Sequence, residues 1–236
     1  MKDASAAPIF NECRQWLLDN LDRFDNLTKE DVESISPEIC NCATLSTLHG
    51  CPPQEIERIA SYLLTEKKVH TFIKCNPTLL GYEYARKLMD DMGYDYVAFG
   101  DFHFRDDLQY TDAVPMLQRL QKLADEKGLE FGVKITNTFP VDVKQNELPS
   151  EEMYMSGKSL YALSMSVAQK LAKDFDGKLR ISYSGGADYF NITKIVDAGI
   201  WPVTMATTML KPGGYERLEQ IGQLFKGKRR QQLSLA

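Results

Sequence analysis

From Ala43 onward the chain alternates short apolar or β-branched runs with amphipathic stretches, and that alternation restricts its fold more than any other feature. The runs predict strands at Ala43–Leu48, Thr71–Cys75, Tyr96–Phe99, Phe131–Thr136, Leu179–Tyr183 and Pro202–Ala206. Between them apolar residues recur at helical spacing. Pro52-Pro53 opens a helix in which Ile56, Ile59, Ala60, Leu63 and Leu64 share one face. Leu80, Tyr84, Leu88 and Met92 form the next stripe, and Val114, Leu117, Leu120 and Ala124 another that ends at Gly128. Leu160, Leu163, Val167 and Leu171 follow, and Asn191 caps a short helix that stops at Gly199. Strand and helix in strict alternation imply a parallel sheet, because a parallel connection needs a crossover of roughly a dozen residues or more.

An open doubly wound sheet and a closed barrel both satisfy this pattern. No G-x-G-x-x-G follows the first strand, which disfavours a dinucleotide fold. The strands ending Lys74-Cys75-Asn76 and Lys134-Ile135-Thr136-Asn137 carry polar groups at their C-terminal ends, where barrel enzymes place their chemistry. The length of 236 residues suits a whole eight-stranded barrel, yet only six strands are predicted, all after residue 42. The expected fold is therefore an α/β, TIM-type (β/α)8 barrel that is incomplete, with its N-terminal strands missing. Residues 1–42 read as a helical segment, with Phe10, Cys13, Leu17, Leu21 and Phe24 at helical spacing and Thr28 as an N-cap. Residues 43–225 read as the barrel portion and 226–236 as a basic tail.

Charge and composition exclude several classes. Lys226, Lys228, Arg229 and Arg230 sit in the tail, and without them 24 basic residues face 33 acidic ones, a balance of −9. So acidic a body lacks the basic stripe that nucleic-acid binding requires. No run approaches the roughly 20 apolar residues of a membrane span, and the start has no signal-peptide core, so no membrane and a cytoplasmic location are expected. Five cysteines read as free thiols in a reducing compartment. Ferredoxin spacing is absent around Cys40-Asn41-Cys42, and no metal site is expected.

Several residues are candidates for chemistry. Gly185-Gly186 ends one strand, and Thr207-Thr208 follows the next. Two consecutive loops of this kind can offer backbone N–H groups and hydroxyls to a phosphate, although a Gly-Gly pair alone is also an ordinary tight turn. Lys74 and Lys134 each lie inside an apolar strand and must either snorkel to water or meet an anion. Asn76 and Asn137, close behind them, have the paired donors and acceptors that orient a planar heterocycle. Cys51 directly precedes the Pro-Pro helix start, and the positive end of a helix favours a thiolate. That makes it a candidate acid/base, with a buried inert cysteine as the alternative. His49 and His103 are the other titratable candidates near strand ends, while His70 reads as structural.

The ordered segments 45–53 (LSTLHGCPP), 72–81 (FIKCNPTLLG), 132–138 (GVKITNT), 153–161 (MYMSGKSLY), 182–187 (SYSGGA) and 205–215 (MATTMLKPGGY) closely resemble the barrel domain of the selenate reductase-type subunit family. Those are large iron–sulfur flavoproteins similar to dihydropyrimidine dehydrogenase. More distantly the segments resemble the FMN barrel of dihydroorotate dehydrogenases. The resemblance covers roughly residues 40–220 and implies an FMN site. It places Lys74 near flavin N1 and O2, where a cation stabilises the anionic reduced ring. It places Asn137 and Thr138 against substrate or flavin, Gly185, Gly186, Thr207 and Thr208 at the phosphate, and Cys51 loosely at the active-site loop cysteine. The strand count between Lys74 and Asn137 is one more than the family has, which leaves open which lysine faces the flavin. Iron–sulfur clusters, FAD and NAD(P)H would belong to segments of a parent protein outside this chain.

The function expected from this reading is an FMN-linked oxidoreductase barrel that passes electrons between FMN and a small heterocyclic or oxyanion substrate. Its partners would be that small molecule and the other domains of the flavoprotein. Two rivals remain at this stage. One is a Schiff-base lyase or isomerase acting on a phosphorylated substrate through Lys74 or Lys134. The other is an inactive barrel fragment.

Overall fold

The computed structural model describes residues 3–226, so the expected basic tail lies, apart from Lys226, outside the described residues. The chain divides into two compact units, Met1–Ala43 and Thr44–Ala236. In the first, helix α1 (Pro8–Asp19) precedes helix α2 (Lys29–Ser34). Thr28 caps α2 in a reciprocal box with Asp31, whose carboxylate accepts from the Thr28 N–H. The guanidinium of Arg14 donates to the Glu33 carbonyl at 2.6 Å, tying the two helices together. The periodic stripe on α1 does not become a core, since no residue of that helix is buried.

A four-stranded sheet has the order β1-β2-β3-β6: Cys42–Leu45, which straddles the boundary between the units, and His70–Cys75, Phe131–Ile135 and Arg180–Tyr183 of the second unit. Strands β2 and β3 run parallel with Lys74 beside Lys134, and β3 and β6 run parallel with Lys134 beside Ser182. Side chains alternate across a strand, so this register sorts the sheet into two faces. Ile73, Cys75, Val133, Ile135, Ile181 and Tyr183 occupy one face and join the continuous hydrophobic core. That core also takes in buried residues of α3 (Pro53–Thr65), α6 (Tyr110–Lys127) and α7 (Tyr161–Asp174). Phe72, Lys74, Lys134 and Ser182 lie on the other face. The Phe72 ring lies against Gly132, where a side chain would also collide with the Arg180 carbonyl.

Two expected strands are not strands. Because β2 pairs directly with β3, no place remains between them for Tyr96–Phe99. In that run Val97 N–H donates to the Tyr94 carbonyl at 3.1 Å and the Ala98 carbonyl accepts from Asp142 N–H at 2.8 Å, while Phe99 joins a ring cluster with Tyr82, Phe104 and Phe139. Pro202–Ala206 shortens to a single parallel bridge, Val203 beside Tyr183. A hairpin that the alternation did not reveal forms a separate two-stranded sheet. Strands β4 (Phe139–Asp142) and β5 (Glu152–Met155) pair antiparallel, inserted between β3 and α7.

The helix stripes hold better. Leu160, Leu163, Val167 and Leu171 are all buried, as are Leu117, Leu120 and Ala124. Helix α4 (Tyr82–Asp91) departs, because its buried residues are Ala85 and Met89. The remaining helices are α5 (Phe102–Asp106), α8 (Ile192–Asp197), α9 (Thr207–Leu210) and α10 (Glu216–Gln223). No described helix is long and apolar enough to cross a membrane.

Candidate active site at the strand ends

A buried carboxylate organises the loops that follow β1 and β2. Asp107, in the connection between α5 and α6, is 4% exposed. It accepts hydrogen bonds from His49 Nδ1 at 2.9 Å, Gly50 N–H at 3.1 Å, Asn76 Nδ2 at 3.0 Å and Thr78 Oγ1 at 2.7 Å. Gly50 reaches this position at φ +75, a conformation that favours glycine, and a side chain there would strike Asp106. Burial by itself would raise the Asp107 pKa. The hydrogen bonds from His49 and Thr78 and the charge of His49 outweigh it and hold the carboxyl below its usual range. His49 moves the other way. Its hydrogen bond to Asp107 raises its pKa, burial opposes the rise, and the charges of Asp107, Glu152 and Asp106 add to it.

A second histidine stands beside this pair. The rings of His49 and His103 meet edge to face at 5.2 Å, and His103 Nε2 lies 2.9 Å from the Glu152 carboxylate. Tyr154, next but one along β5, stacks on His49 at 6.3 Å. The hairpin absent from the sequence reading therefore supplies two neighbours of the site. Cys51, Lys74, Asn76 and Asp107 line one small cavity of about 20 Å³, room for about one water. Cys75, on the core face, is fully buried, and burial pushes its thiol up to about 12.

The other sequence candidates gather around β3 and β6. Lys74, Lys134 and Ser182 form one row across the sheet on the face away from the core. The Asn137 N–H donates to the Cys75 carbonyl at 2.8 Å, which holds the 136–138 segment against the end of β2. Gly186, at φ +72, abuts the backbone of Gly157 and Lys158 so closely that any side chain would collide with it. Thr207 flanks Gly157. Thr208 is 8% exposed and donates its hydroxyl hydrogen to the Ala187 carbonyl at 2.7 Å. That hydrogen is then not available to a phosphate. The ammonium of Lys158 reaches Asp188 at 3.1 Å and covers the Phe190 ring, placing a cation beside the Gly-Gly turn.

Sequence reasoning thus named His49, Cys51, Lys74 and Asn76, which the structure brings together, but missed Asp107, Thr78, Glu152 and Lys158. Asp107 sits in a run of charged residues, Arg105-Asp106-Asp107, that reads as a solvated turn. Lys158 stood inside a quoted motif without a role.

A family model for the N-terminal TIM-barrel domain of the oxidoreductase YgfK matches residues 1–235. The chain belongs to this family. YgfK of Escherichia coli (strain K12) is 47% identical over 238 residues, an alignment covering 96% of this chain and 23% of that protein. YgfK of Escherichia coli O157:H7 gives the same values, 47% identity with 96% and 23% covered. The chain therefore spans about a quarter of the length of the curated relatives it matches. Membership of the YgfK family makes the fold a TIM-type barrel domain, and the parallel strands described above are an incomplete set of its staves. Among solved structures, DHODH from Eimeria tenella in complex with ferulenol superposes with TM-score 0.39 at 18% identity, over 77% of this chain and 56% of that one. Its ligand-free form gives 0.38 at 16%, over 74% and 55%. Likeness this loose bears on no residue of the present chain.

Proposed function

We propose that this oxidoreductase barrel binds FMN and passes electrons between it and a small heterocyclic or oxyanion substrate, as one domain of a selenate reductase-type iron–sulfur flavoprotein. The observation that carries the reading is the row Lys74–Lys134–Ser182, two cations on adjacent strands on the sheet face away from the core. Two cations on neighbouring strands attract an anionic ring edge or a phosphate. Bound FMN would supply hydride chemistry, with its reduced form favoured by a nearby cation. Lys74 and Lys134 suit its ring, and Asn137 and Thr138 at the end of β3 suit its edge. At the phosphate end Thr207 and the backbone of Gly185-Gly186 suit an anion better than Thr208 and Lys158, whose hydroxyl and ammonium are committed to the Ala187 carbonyl and to Asp188. His49 would carry the proton that accompanies hydride movement, with Cys51 on the same loop as the second candidate.

Iron–sulfur clusters, FAD and NAD(P)H would reside in the further length that the curated relatives possess. Those domains are the partners proposed here, and the reducing cytoplasm is the compartment. Purified protein incubated with excess FMN and desalted is expected to keep an absorbance band near about 450 nm. Quantitative loss of the band on desalting would overturn the cofactor assignment.

A further inference from the structure

The hydrogen bonds around Asp107 are arranged for a purpose that family membership does not assign. A buried carboxylate can be satisfied by Thr78, Asn76 and the Gly50 N–H without any histidine, and those three already fix its orientation. The fourth contact is Nδ1 of His49, 2.9 Å from both carboxylate oxygens. Asp107 is ionised and can only accept, so Nδ1 must carry the hydrogen. The lone pair of the neutral ring is then on Nε2. No hydrogen bond to Nε2 occurs among the described residues, and this atom is not among the buried orphans, unlike Nδ1 of His103.

We propose that Asp107 is the positioning residue that fixes the tautomer of His49, leaving Nε2 as the atom that takes a proton from substrate or returns one to it. When Nε2 accepts a proton, the ring becomes an imidazolium whose Nδ1–H stays on Asp107, and the carboxylate keeps its charge. Thr78, Asn76 and Gly50 hold that charge still while the ring changes state. The inference deepens the oxidoreductase reading and rests on it for the source of the proton. Other groups also face His49: Asp106 beside Asp107, His103 from α5, and Glu152 and Tyr154 from β5. Cys51 and Lys74 line the adjoining cavity.

The test is a histidine nitrogen NMR titration of the full chain without flavin. The chain has three histidines, and H70Q and H103Q variants assign the signals. Neutral wild-type His49 is expected as the Nδ1–H tautomer, with its titration displaced upward. D107N should convert it to the Nε2–H tautomer and abolish the displacement. T78V, which removes a partner of the carboxylate and leaves its charge, should keep the Nδ1–H tautomer. An Nε2–H tautomer with an ordinary titration in wild type would overturn the inference without any variant having to fold. Equal loss of the tautomer in T78V and D107N would overturn it as well. Failure to bind FMN would remove the reading above and leave these spectra unchanged, whereas an Nε2–H His49 would leave a yellow protein.

Discussion

At Asp107 a carboxylate 4% exposed keeps its charge because four donors surround it, and a buried carboxylate without them would take up a proton. The pairing makes stability depend on pH in a definite direction. The raised pKa of His49 contributes stability that is complete below its unfolded value, 6.5, and fades as pH rises through the folded one. The lowered pKa of Asp107 contributes stability that is complete above its unfolded value, 3.8, and fades as pH falls through the folded one. Both contributions are therefore present between pH 3.8 and 6.5. Breaking a buried pair costs about 3–5 kcal/mol, and solvent access to His49 reduces that, so D107N is expected to lose roughly 2–3 kcal/mol at about pH 5. The deficit should shrink at alkaline pH, above the raised His49 pKa, as the imidazole discharges. Urea unfolding at the two pH values measures it, and an equal deficit at both would show that the pair is not ionic.

Among the elements, α4 shows how a correct period can carry a wrong face. Leu80, Tyr84, Leu88 and Met92 are spaced by four, but Leu80 belongs to a 3₁₀ turn, Pro77–Leu80, and Gly81 at φ +83 separates it from the helix. The helix begins afresh at Tyr82 and turns Ala85 and Met89 inward. Met89 is 0% exposed and Met92 is 40% exposed. M89A is accordingly expected to cost about 2–5 kcal/mol and M92A less than about 1 kcal/mol, by chemical denaturation. Comparable losses would restore the face suggested by sequence. The strands erred for a related reason. Tyr96–Phe99 has the composition of a strand, yet a strand is defined by its neighbours, and β2 and β3 have already joined. Glu152-Met153-Tyr154-Met155 alternates as a half-exposed strand should, but Pro140 in its partner disguised the hairpin.

At the scale of the molecule, the register of β2, β3 and β6 divides apolar from polar. The core face is filled by apolar side chains, whereas the other face carries the lysine row. K74M is expected to weaken FMN binding at least about tenfold, a loss of about 1.4 kcal/mol. Flavin fluorescence titration reads the effect, and an unchanged FMN affinity would contradict the role given to the row.

The sequence by itself determined the parallel α/β architecture, most of the helix faces, the lysine-bearing strands and the loop that carries His49 and Cys51. Those properties follow from periodicity and from residue types whose preferences are local. Tertiary structure alone decided that Lys74 stands beside Lys134, that the Gly186 turn closes on Gly157 and Lys158, and that Asp107 receives His49 across 58 positions of chain. The chemistry of each group depends on a partner distant in sequence, and no local pattern records which one the fold will bring.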